Sequence, residues 1–129
     1  MKLRIGLSLL AAIAAGCSST PTQPLGERTF RTHCASCHGP LAEGDGPTAA
    51  TLTVPVPSLR TLSRRNGGTF PADAVASYID GRSFPAAHGT REMPVWGPVF
   101  SATQQLVIGA ESPEQRIAGV MTFLRELQQ

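Results

Sequence analysis

Apolar residues return at helical spacing in three parts of the chain, and the clearest lies near the C terminus. There Ile117, Val120, Met121, Leu124 and Leu127 fall on one face of a helix. Its start is marked by Ser112, Pro113 and Gln115. The hydroxyl can cap orphan amides, the proline's missing N–H costs nothing in a first turn, and the glutamine can reach back to the cap. A second segment opens at Pro71, carries Val75, Tyr78 and Ile79, and stops at Gly81, which predicts a helix over residues 71–80. A third covers residues 26–36, with Phe30 one helical turn after Gly26. If these helices cross, Gly26 and Gly119 offer a place for close backbone approach. Residues 54–71 are broken by prolines and an Asn66-Gly67-Gly68 turn and read as a structured loop. No stretch after the N-terminal segment alternates like a long β-branched strand, so the expected class is all-α, with three main helices and long loops.

The N-terminal segment has another pattern. Lys2 and Arg4 precede an uncharged run over residues 5–15, closed by Ala14, Ala15 and Gly16, the layout of an export signal. The run is too short to span a bilayer as a helix. The Ala14-Ala15-Gly16-Cys17 sequence resembles the lipobox of bacterial lipoproteins. That resemblance implies a signal peptide over residues 1–16, an acylated Cys17 and a flexible tether over residues 17–24, ahead of one domain over residues 25–129. It places the protein on the periplasmic side of a membrane, and Ser18 is compatible with sorting to the outer membrane. An ordinary secreted chain cut nearby is the alternative.

Removing residues 1–16 changes the charge. The whole chain has 11 Lys plus Arg against 9 Asp plus Glu; without Lys2 and Arg4 the basic count equals the acidic one. No Lys remains and no basic patch points to nucleic acid.

The chemistry concentrates in Cys34-Ala35-Ser36-Cys37-His38. A redox dithiol of the thioredoxin type needs a βαβ setting that the chain lacks, and a zinc site needs a second ligand pair where only the isolated His33 and His88 are at hand. The third reading uses every chemical group: two thiols form thioethers to haem, and His38 ligates the iron from one side. For the sixth position, Met121 belongs to the terminal helix, whereas Met93 sits among Pro85, Gly89, Pro94, Gly97 and Pro98 in a stiff loop. Pro94 pushes Met93 toward an extended backbone. His88 is the competing ligand.

The order of attachment motif, Gly-Pro, methionine loop and terminal helices resembles a small class I c-type cytochrome over most of the chain after the signal. The resemblance implies the cytochrome c fold around one covalent haem c, Cys34 and Cys37 in thioether bonds, and His38 and Met93 on the iron. It further implies that the carbonyl of Pro47, in Gly46-Pro47, orients His38. The loop carrying Arg60, Arg64 and Arg65 would cover the haem propionates, with Arg64 the chosen partner and Trp96 packing on the haem or donating its N–H to a propionate. Where related chains often carry glycine after the motif, this one has Pro40, Leu41 and Ala42. The expected function is electron transfer by a monomer, exchanging with a dehydrogenase, an oxidase or another cytochrome and held to the membrane by its lipid. No acid, base or nucleophile set indicates an enzyme. A subunit role in an oxidoreductase complex and a haem-based ligand sensor are the alternatives.

Overall fold

The computed structural model describes residues 23–82 and 93–129. The proposed signal peptide, Cys17 and most of the tether lie outside them, as does His88. Every regular element among the described residues is helical.

Helix α1 (Leu25–His33) buries Gly26, Thr29 and Phe30 and is followed by the short α2 (Ala35–His38), with Cys34 between them. Single 3-10 turns occupy Ala49–Thr51 and Leu59–Thr61, and the second runs into α3 (Leu62–Arg65). Helix α4 (Ala72–Asp80) starts after Pro71 and ends on Gly81, whose φ of 90° is a left-handed cap that glycine adopts without strain. The last helix of the chain, α6 (Pro113–Glu126), is capped reciprocally. The Ser112 hydroxyl accepts from the Gln115 N–H at 3.2 Å, and the Ser112 N–H donates to Gln115 Oε1 at 2.8 Å.

One helix was not legible in the pattern. Helix α5 (Trp96–Leu106) begins within the segment that the sequence presents as loop. Gly97 and Pro98 read as breakers, yet both fall in the first turn, where an N–H has no intrahelical partner and proline loses nothing.

The core gathers Phe30 from α1, Ile79 from α4, Phe100 from α5 and Ile117, Val120, Met121 and Leu124 from α6, with Ala42 from the loop after α2. Met121 is thus a core residue, as its place in the helical pattern predicts. Helices α1 and α6 cross where Gly26 meets Gly119: a Cβ on Gly26 would run into the Gly119 carbonyl. Phe30 and Phe123 pack beside this crossing with ring centroids 5.2 Å apart. The C terminus is clamped to the proline-rich loop, because Gln128 Nε2 donates to the Leu59 carbonyl at 2.9 Å and its Oε1 accepts from the Ser63 N–H at 2.8 Å.

Candidate functional site

Helix α1 breaks at Cys34 (φ −114°, ψ −33°) and the chain re-enters a helical turn as α2, so Cys34, Cys37 and His38 follow one another around a single tight bend. The Gly39 N–H donates to the Ala35 carbonyl at 2.9 Å, and Gly39 leaves the helix with φ 77°. The loop after it folds back on the motif. Gly44 N–H donates to the His38 carbonyl at 2.8 Å, Gly46 N–H to Cys37 at 3.1 Å and Thr48 N–H to Ser36 at 2.9 Å. Thr48 also sets its hydroxyl 3.2 Å from Cys37 Sγ. A side chain on Gly46 would meet the Ala35 and Ser36 carbonyls, so the glycine of Gly46-Pro47 is required by close approach of two backbones.

The Pro40-to-Ala42 turn is solved by an uncommon backbone. Ala42 is fully buried and adopts φ 61°, the only positive φ among the described residues that is not a glycine's. Its carbonyl accepts from the Leu59 N–H at 2.8 Å, and a Cβ on Gly44 would meet the Val56 carbonyl. The two loops are thereby pressed together, which brings the second proline stretch over the motif. The Pro57 carbonyl thereby comes near enough to the His38 ring to act on its proton affinity, while Pro47 is exposed. The repeated Val-Pro of residues 54–57 was the available signal.

Burial holds the His38 imidazole below its usual range, against a smaller opposite pull from the Pro57 carbonyl. The ring is therefore neutral at neutral pH, the form that ligates a metal. Its Nδ1 is buried and makes no hydrogen bond. The Cys34 thiol is pushed up to about 12, first by burial and then by the neighbouring Cys37. Such a thiol is a poor thiolate, which disfavours the redox-dithiol reading. Among the described residues no group of three or more His, Cys, Asp or Glu could hold a metal ion by itself.

Met93 and Trp96 are half-buried and pack, like Cys34, against the common core. The link between them and the motif runs through His33, which the sequence offers only as a metal ligand. Its ring centroid lies 5.2 Å from that of Trp96 and 5.3 Å from that of Phe100, and the Trp96 and Phe100 rings stack at 5.7 Å. The residue before the first cysteine thus touches the residue one turn past Met93. Of the three loop arginines, Arg60 pairs with Glu43 at 2.7 Å and Arg65 donates to the Ser58 carbonyl at 2.9 Å. Arg64 is exposed on α3.

These residues fit a covalent haem: two free thiols and a neutral, half-buried imidazole with a buried, under-bonded Nδ1 share one bend, and Cys34 packs on a core finished by half-buried apolar side chains such as Leu59, Phe70 and Val75. When bound, haem supplies a one-electron iron couple. The sequence matches the family model described as Cytochrome c over residues 24–128. No curated protein and no solved structure matches it. A match over that span, on an all-helical chain with this motif, shows that the protein belongs to the cytochrome c family and is a haem c electron-transfer protein.

Proposed function

We propose that this protein is a single-haem electron carrier, tethered through Cys17 to the periplasmic side of a bacterial membrane, with the iron held between His38 and Met93. The observation that carries the ligand assignment is the convergence of the cysteine motif and the Met93 segment on one core, joined by the His33–Trp96 contact at 5.2 Å. With His38 and Met93 both holding the iron, the thioether would favour the ferrous state and no coordination position would be left for a substrate. The residues therefore hold and tune iron rather than transform a ligand. Cys34 and Cys37 attach, Pro57 acts on the His38 ring, Trp96 packs beside Met93's segment, and Arg64 is free to turn toward a propionate.

Carbon monoxide distinguishes a closed site from a sensor's. The ferrous holoprotein is expected to bind it slowly or not at all near neutral pH, and rapid binding would rule out the carrier assignment. Mass spectrometry of protein purified from membranes checks the tether: one haem and an acylated Cys17 at the N terminus are expected, and an unmodified N terminus would remove the anchor.

A further inference from the structure

Helix α5 and the turn after it expose apolar surface that the electron-transfer site does not use. Residues 94–110 contain no charged side chain. Val95, just before the helix, and Val99, on it, are exposed, and the tip at its C-terminal end is more so: Leu106 is 83% exposed, Val107 52% and Ile108 105%. Three successive large apolar residues standing in solvent are unlike the scattered exposed leucines of an ordinary surface.

Both hydroxyls of this region bond within their own helix. Ser101 donates its hydroxyl to the Gly97 carbonyl at 3.0 Å, and Thr103 donates to the Val99 carbonyl at 3.0 Å. At the turn, the Val107 N–H donates to the Thr103 carbonyl at 3.0 Å and the Ala110 N–H to the Val107 carbonyl at 3.1 Å. A protein partner is normally met by a polar rim offering hydrogen bonds. These two hydroxyls and two N–H groups are already satisfied internally and suit the membrane interface, where an unpaired polar group is costly. Gln104 and Gln105, both exposed on the last turn of the helix, would remain at the level of the headgroups.

The chain preceding the fold also favours a bilayer. From Cys17 to Pro24 the tether can span at most about 25 Å. The tip is tied back toward the helix on which that tether ends, because Glu111, just past it, pairs with Arg28 in the first turn of α1. An anchored chain would hold the tip at high local concentration beside the membrane, so a contact too weak to bind from solution suffices.

We infer that Leu106, Val107 and Ile108 form a second membrane contact, inserting into the phospholipid interface and orienting the tethered domain. The inference rests on the membrane-tether reading, and its test separates the two. Holoprotein with Ile108→Cys, or with Thr69→Cys as control, is labelled with a nitrobenzoxadiazole fluorophore. Thr69 lies beside Phe70, whose ring sits under Arg125 near the C-terminal end of α6, away from the tip. Each protein is placed on phosphatidylcholine vesicles in two ways: through its own N terminus, or through a hexahistidine tag replacing Cys17 on a nickel-chelating lipid. In the tag-held arm the label at 108 should shift blue and lose about half or more of its emission to brominated acyl chains, while the label at 69 changes by less than about a tenth. Adding Leu106→Asp and Val107→Asp should abolish the protection at 108. A label at 108 that stays as aqueous on vesicles as in solution overturns the inference, as does protection gained only when a protein partner is added. If the tag-held arm shows insertion but the native N terminus does not bind vesicles, the tip stands and the Cys17 anchor falls.

Discussion

Ala42 bears the clearest strain among the described residues. An L-residue in the left-handed region pays about 1–2 kcal/mol, but here the methyl is fully buried, and deleting it loses about 0.8 kcal/mol of transfer energy. Ala42→Gly is therefore expected to leave stability within about 1 kcal/mol of wild type in urea unfolding of the holoprotein. Gly46→Ala, which forces a Cβ against two carbonyls, should lose about 2 kcal/mol or more. Equal losses at the two positions would contradict the backbone argument. His33 supplies the residue-scale pH dependence. Burial first, and the Arg116 guanidinium second, hold its imidazole below the ordinary value. Between the ordinary histidine value near 6.5 and that lower folded value, the unfolded chain binds more protons than the folded one. Stability contributed here is present above the unfolded value, falls as pH drops through the window, and levels off below it. His33→Phe keeps an aromatic ring beside Trp96 and Phe100 and should flatten this part of the profile, read as urea midpoints from about pH 7 to about pH 5. A slope equal to wild type would show that His33 is not its source.

At the scale of elements, the α1–α6 crossing and the cap of α6 hold the frame on which the motif sits. Gly26→Ala places a methyl against the Gly119 backbone and is expected to cost about 2 kcal/mol or more, since neither helix backbone can yield cheaply. Ser112→Ala removes one half of the capping pair and should cost about 1 kcal/mol. Chemical denaturation measures both, and a Gly26→Ala protein as stable as wild type would mean the helices do not cross so closely. These features were legible because their signals are local: a capping pair, a proline at the first helical position, a terminal glycine and a heptad-like face. Helix α5 was hidden because Gly97 and Pro98 carry the same letters whether they break a helix or open one. Pro57 was hidden for a different reason. Which of several prolines comes near His38 depends on how the loop through Ala42 and Gly44 packs against residues 56–59, a tertiary choice that the repeated Val-Pro of residues 54–57 does not by itself decide.

For the whole molecule, the core is finished largely by side chains that remain half-buried, including Leu59, Phe70, Val75, Met93 and Trp96. With one Trp, one Tyr and five Phe, the chain has little aromatic mass of its own to close the interior. A small domain of this kind leans on a bound group, whose affinity for the folded state adds directly to stability. Cys34→Ala/Cys37→Ala protein made without attached haem is expected to lose most of its helical circular dichroism, and native-like helicity would refute that dependence. The cofactor itself was readable from the five-residue motif. The aromatic bridge through His33 was not, because it joins helices whose separation in sequence hides their contact.

The most direct test is the optical spectrum of the oxidised and reduced holoprotein beside that of Met93→Ala. The account predicts a haem bound by two thioethers, a low-spin His/Met iron with its weak far-red thioether band when oxidised, and loss of that band with opened carbon monoxide binding in Met93→Ala. An unchanged axial-ligand spectrum in the variant would contradict it.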